Sequence, residues 1–259
     1  MNNTLVSVVT LTHARPEALL RACASVAAQQ DVDVEHIIIG DDAGYLNDPD
    51  YVRRLSRQHG RTIVKNVPRE AGHADEYLSA RVGRLRNLGI DLAGGEFVAQ
   101  LDDDNAYDPE HLSSLVTLLR DNPAAEVAHS WRRLVDKNGA SYVPDLVDPW
   151  HPFPAHRAAS YESLEAAGVF ERGSSVVRDR LWAGDRLIGR IDTSEFLVRR
   201  AFHAEMRFAE TFSAARRKLQ WSEDYAFAIE LARRKVDVVC SHRPTVIYTM
   251  GGYSNVETA

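Results

Sequence analysis

Cysteine is nearly absent: 259 residues carry two, Cys23 and Cys240. A pair so far apart excludes a disulfide framework and a cysteine-rich zinc site, and both residues are expected as reduced core side chains. Long apolar runs are also missing. None approaches the ~20 residues that cross a bilayer, and the opening Met1-Asn2-Asn3-Thr4 has no basic region of a signal peptide. The expectation is a cytoplasmic protein without a membrane span. Positive charge is in deficit, with 31 Lys and Arg against 37 Asp and Glu. The net −6 supplies no general drive toward nucleic acid or an anionic membrane. Glycine is missing where two nucleotide-binding loops need it. The turn Thr12-His13-Ala14-Arg15-Pro16 holds neither the G-x-G-x-x-G of a dinucleotide site nor the Gly-rich phosphate loop of a sugar-1-phosphate nucleotidyltransferase.

What remains is an ordinary globular composition, 44% hydrophobic and 26% charged. Leu5 to Thr12 and Val34 to Gly40 are nearly continuous β-rich apolar runs, as in parallel strands covered on both faces. Between them Leu19, Leu20, Cys23, Val26 and Ala27 recur at helical spacing behind Pro16, which suits a first helical turn. A helix over 48–59, a strand over 61–67, a helix over 75–92 and a helix over 109–120 continue the alternation. This rhythm predicts a doubly wound, mainly parallel α/β sheet. After residue 124 it changes: 126–136 is strand-like, and Asp136-Lys137-Asn138-Gly139 signals a hairpin turn. Residues 143–190 give no clear element. Ile191 to Arg199 reads as a strand, and 222–234 as a helix with Tyr225, Ile229, Leu231 and Ala232 inward. Residues 236–240 and 245–250 read as two late strands, and a mobile tail is expected from Gly251.

The fourth strand ends in Asp102-Asp103-Asp104-Asn105, and the second in Asp41-Asp42. In an open parallel sheet both lie on the carboxyl edge, where ligands bind. Three adjacent carboxylates repel one another, so a divalent cation holding a phosphorylated substrate is a natural partner. A carboxylate at Asp41 or Asp42 suits the N3–H of uracil. A solvated turn would explain the triplet as well, and helix capping the pair.

The order of these segments resembles the inverting nucleotide-sugar glycosyltransferases of family 2, with the GT-A fold. The matching stretches are VSVVTLTHARPEALLRACASVAAQ, EHIIIGDD, RNLGIDLAGGEFVAQLDDDN and WSEDYAFAIEL. The resemblance implies residues 1–124 as a nucleotide-sugar-binding part and 125–259 as a smaller mixed acceptor-side part of one domain. It places Thr12, Asp41, Asp42, Arg81, Arg86, Asp102 and Asp103 around the nucleotide sugar. It puts Asp104, with Asp102 or Asp103, on Mn or Mg. Arg81 and Arg86 could instead be exposed helix cations. Ala14 and Ala43-Gly44 depart from the family's usual Asn and Gly-Ser, which alters details of the nucleotide pocket.

In an inverting transfer, one carboxylate takes the proton of the attacking acceptor while positive charge stabilises the leaving diphosphate. The resemblance gives the base to Asp224, with Glu223 as the reserve. Both acids could simply favour a helix N-terminus. Asp192 and Trp221 are expected on the acceptor side. Trp131, Trp150 and Trp182 could also stack on sugars, although aromatic side chains are more often core. His151, His156 and His242 have no ligand spacing. The expected donor is a UDP-sugar, and the acceptor a small molecule, a carrier-bound intermediate or a glycan. The competing readings are a nucleotide-sugar-binding module without turnover and a sugar-phosphate nucleotidyltransferase.

Overall fold

The computed structural model describes residues 4–69 and 76–252. In chain order the elements are β1 (Leu5–Thr12), α1 (Pro16–Ala27), β2 (Asp33–Asp41), α2 (Pro49–Gln58), β3 (Thr62–Val67), α3 (Leu78–Leu92) and β4 (Phe97–Asp102). Then follow β5 (Ala106–Tyr107), α4 (His111–Asp121), β6 (Val127–Val135), α5 (Arg157–Ala166), β7 (Val176–Val177), β8 (Arg180–Ala183) and β9 (Arg186–Arg190). The chain closes with β10 (Phe196–Arg199), α6 (Ala214–Lys218), α7 (Glu223–Arg233) and β11 (Val238–Thr249).

One sheet, ordered β3-β2-β1-β4-β10-β6-β11-β5 with β7 on β6, takes strands from both halves of the sequence. Its first four strands are parallel. β10 runs antiparallel between β4 and β6, and β11 returns parallel to β6. Alternate residues of the central strands face opposite layers. Val6, Val8, Ala99 and Leu101 pack with α1 and α4 residues. Val9, Ile37, Ile39 and Val98 pack with Leu85 and Ile90 of α3 and with Phe227 and Leu231 of α7. Burial on both faces is why these strands read as continuous apolar runs. α3 lies close because Gly83 and Gly89 present no side chain: a Cβ on Gly83 would stand 2.2 Å from the Ala209 carbonyl oxygen.

The alternating α/β half matches expectation, with α3 starting at Leu78; of the expected start, Glu76 and Tyr77 are not helical and Asp75 falls outside the described residues. The later half differs in four ways. Only Phe196–Arg199 of the 191–199 segment is strand. Asp192 caps a short turn over Thr193–Glu195, its carboxylate accepting from Ser194 N while Glu195 reaches back to Asp192 N. This reciprocal capping satisfies the backbone without a ladder. The two late strands are a single β11 with register shifts around Pro244, which lacks a ladder donor. Tyr225 is 38% exposed rather than inward, because the inner face of α7 is carried by Ala226, Phe227, Ala228 and Leu231. Cys240 is half-buried, whereas Cys23 is core. The unread segment supplies α5 and a separate β8–β9 hairpin.

Gly83→Ala is expected to destabilise the fold by about 1–3 kcal/mol, because the fixed Ala209 backbone cannot yield to the new methyl group. That outweighs the ~1 kcal/mol gained in helix propensity. A urea denaturation midpoint that stays level or rises would contradict the close packing.

Candidate active site

The chain moves outward from β1 to β2 and β3, then returns to the other side of β1 as β4. This reversal opens a crevice beyond the carboxyl ends of β1 and β4. Register places Thr12 beside Gly40 and Leu11 beside Asp102, so the ends of β1, β2 and β4 share one edge. Thr12 Oγ1 donates to Asp103 Oδ2 at 2.6 Å and also contacts the Tyr45 hydroxyl. Arg15, immediately before α1, places Nη1 3.3 Å from Asp103 Oδ1 and against Asp104 Oδ2.

One guanidinium shared by two acids does not balance them. Burial pushes Asp103 upward. Burial, then the neighbouring Asp102 charge, pushes Asp104 up to about 7 despite Arg15. Gly252 packs over Asp104, where a Cβ would come within 2.9 Å of Oδ2. Asn105 ties the acidic loop to its surroundings, donating to Ser194 Oγ at 3.1 Å and accepting from Thr249 N at 3.1 Å.

The acids at the end of β2 separate clearly. Asp41 is buried and held by Arg69, with Nη2 2.6 Å from Oδ2, and by Arg81 Nε on Oδ1. Burial alone would raise its pKa, but the hydrogen bonds from the two arginines hold it below the usual carboxylate range. Asp42 is exposed in a left-handed conformation, φ 55°, and its N–H caps the end of β3 at the Val67 carbonyl.

Arg81 and Arg86 are 6% and 3% exposed, which disposes of the exposed-cation reading. Arg86 differs from the expected nucleotide contact. Its Nη2 lies 2.9 Å from Asp102, its Nε 3.2 Å from Glu223 and its Nη1 3.4 Å from Gln100, so its donors are committed within the protein. It bridges the end of β4 to the start of α7.

Ser222 caps α7, accepting from Tyr225 N. The next two acids have different fates. Glu223 is buried, and burial pushes it up to about 7 although Arg86 opposes this. Asp224 is half-exposed, accepts from Tyr225 N at 2.7 Å, and makes no ion pair among the described residues. Its carboxylate is the accessible one of the two. Asp192 is nearly buried, 2.7 Å from Arg132 Nη1. Burial raises its pKa, with Arg132 opposing. Trp221 packs on Tyr225 and Phe212-side residues with Arg216 4.8 Å over its ring. Trp150 is structural: Arg132 and Arg190 lie 4.6 and 4.7 Å from its ring, and its Nε1 donates to Tyr248.

Sequence reading missed Arg15, Tyr45, Arg69, Asn105, Arg132 and Ser194 at this site. Arg15 carried a usable signal, since a cation directly after β1 faces the acids ending β4 across the crevice. Among the described residues no three His, Cys, Asp or Glu side chains converge as a metal cage.

The family model of glycosyl transferase family 2 matches residues 7–174, more than half of the chain. The chain belongs to this family. It is 26% identical over 200 residues to an uncharacterized glycosyltransferase of Methanocaldococcus jannaschii, covering 77% of this chain and 62% of that protein. It is 29% identical over 143 residues to protein CgeD of Bacillus subtilis, covering 51% of this chain and 30% of that protein. The chain therefore spans less than two thirds of either relative. Among solved structures, it resembles S. aureus TarS 1–349 with TM-score 0.58 and 16% identity, over 97% of this chain and 61% of that one. The TarS fragment in complex with UDP-GlcNAc aligns with TM-score 0.59 and 18% identity, over 100% and 62% of the respective chains. These likenesses show that this family 2 member has the GT-A fold. No helix among the described residues is long and apolar enough to cross a membrane.

The raised pKa of Glu223 makes a pH prediction. An acid more easily protonated in the folded state stabilises the fold at low pH, and that contribution is lost as pH rises toward about 7. The Tm difference between Glu223→Gln and the parent is expected to move in the variant's favour as pH rises from 5 to 8, whatever its starting value. A Tm difference independent of pH across that window would refute the burial argument.

Proposed function

We propose that this protein transfers a sugar, with inversion, from a nucleoside diphosphate sugar, most simply a UDP-sugar, to a hydroxyl or amine acceptor. The observation that carries this reading is the continuous link Asp102–Arg86–Glu223, which fixes the accessible Asp224 beside the acidic edge of the sheet. Donor and base are thereby set on one rigid frame, as a single-displacement reaction needs.

Asp41 is the acid suited to uracil: Arg69 and Arg81 keep it ionised as an acceptor for an N3–H. Thr12 and Arg15 stand at the crevice where the ribose and diphosphate would enter. The acceptor is a small molecule, a carrier-bound intermediate or a glycan bound on the Asp192 and Trp221 side. Its oxygen or nitrogen attacks the anomeric carbon, the bond from that carbon to the diphosphate breaks, and Asp224 takes the acceptor proton.

The acidic triplet fits a hard divalent cation, Mn or Mg. Asp104 shares Arg15 with Asp103, so it is left short of positive charge, and its donors are hard carboxylate oxygens. Asp102 and Asp104 would hold the ion, with phosphates and water completing its shell, and it would neutralise charge on the leaving diphosphate. Both oxygens of Asp103 are engaged by side chains, Thr12 and Arg15, whereas Arg86 meets one oxygen of Asp102 and Arg15 one of Asp104, which favours the Asp102–Asp104 register.

Release of UDP from a panel of UDP-sugars, with Mn or Mg and with chelator, tests the reading. Tight UDP binding without hydrolysis or transfer for any donor would favour a module without turnover. Asp224→Asn should retain UDP binding and lose transfer by about 10²–10⁴-fold; unchanged transfer would remove Asp224 as base. Asp104→Ala should weaken metal-dependent donor binding in a calorimetric titration, and undiminished affinity would remove it as a ligand.

A further inference from the structure

Trp131 and Trp182 have no place in the cleft described above. Trp131 on β6 and Trp182 on β8 line a single cavity of about 440 Å³. Small-molecule sites span about 300–1,000 Å³. Val236 and Asp237, which lead from α7 into β11, form part of its wall. α7 has 11 residues, a length of about 16 Å at 1.5 Å per residue. The cavity and Asp224 therefore sit at opposite ends of that helix.

Trp182 is 46% exposed on the small β8–β9 hairpin, where packing alone gives little reason for so large an indole. Trp131 has His242 edge-on at 5.2 Å and Arg178 5.7 Å over its ring, so Trp182 offers the more open indole face. Polar groups also line the cavity. His129 Nδ1 lies 2.8 Å from the Ser130 carbonyl, which can only accept, so this nitrogen carries the proton. Nε2 is left as an acceptor, with no donor to it among the described residues. Burial pushes the His129 pKa down to about 4, so the ring is neutral at physiological pH. Asp237 adds a carboxylate without an ion pair among the described residues, and Arg180 adds a guanidinium held by the Arg178 and Gly168 carbonyls.

Indole surface beside a neutral acceptor, a carboxylate and a guanidinium matches a pyranose, which has an apolar C–H face and hydroxyls that both donate and accept. We propose that this cavity is a second carbohydrate-binding subsite, separate from the donor cleft, that takes a neutral hexose or N-acetylhexosamine unit against Trp182 and Trp131. The proposal stands on the cavity itself and does not depend on the donor chemistry assigned above.

The test is tryptophan fluorescence of the full chain titrated with glucose, galactose, N-acetylglucosamine, cellobiose and chitobiose, with and without saturating UDP. At least one sugar is expected to quench saturably at millimolar concentration, with UDP making no difference. Trp182→Ala, at an exposed position that leaves the core intact, is expected to weaken that sugar by about tenfold and to leave calorimetric UDP binding unchanged. No saturable quenching by any of the five, quenching abolished by UDP, or equal affinity in Trp182→Ala would each overturn the proposal. Quenching by uridine or adenosine in place of the sugars would overturn it in favour of a nucleobase site. UDP binding in the same samples reports on the donor cleft separately, so the two readings fail independently.

Discussion

The bridge made by Arg86 is the interaction on which the site depends. A buried cation between Asp102 and Glu223 fastens the end of a central strand to the start of the helix that carries Asp224. Burying one charge alone is costly, and removing one partner from such a pair costs about 3–5 kcal/mol. The two acids and the arginine thus hold each other in place. The same device recurs along the edge, with Asp41 between Arg69 and Arg81 and Asp103 and Asp104 on Arg15. An acidic sheet edge inside an acidic protein persists because arginines from α3 and the β1–α1 turn neutralise most of it. Burial works against this neutralisation at Asp104 and Glu223, raising the pKa of each to about 7.

Polar burial continues around Asp192. Arg132 and Arg190 are shared among Asp148, Asp179 and Asp192 and are stacked against Trp150. Such networks fix relative positions more than they add stability. Here they join β6, the β8–β9 hairpin and the capped turn at Asp192. In the later half, ion pairs between distant segments thus add to an apolar cluster around Tyr161 and Phe170, where the earlier half rests on apolar strand faces.

That contrast explains what could be read from the chain. β1, β2 and β4 were legible because burial on both faces writes a continuous apolar run, and the helices between them because their apolar positions recur every three to four residues. The turn at Asp136 was legible from its own side chain, which accepts from Asn138 N and Ala140 N. Residues 143–190 were opaque because their elements are short and held by nonlocal partners such as Arg190 on Asp148. The strand expected from Ile191 failed because the Asp192–Glu195 capping box satisfied the backbone locally.

By itself the sequence determined the parallel half of the fold, the edge to which its acids are delivered, and the candidates Thr12, Asp41, Asp104 and Asp224. These follow from local periodicity and from the rule that parallel strands end together. The tertiary structure decided which member of each acidic pair is buried against arginine and which meets solvent: Asp41 faces its arginines while Asp42 turns outward, and Glu223 is buried on Arg86 while Asp224 stays accessible. It also turned Arg86 from an expected nucleotide contact into an internal brace and brought Trp131 and Trp182 to one cavity. Neighbouring residues of one chemical type are indistinguishable in a sequence. Only packing, by choosing which side chain meets a partner and which meets water, gives them different work.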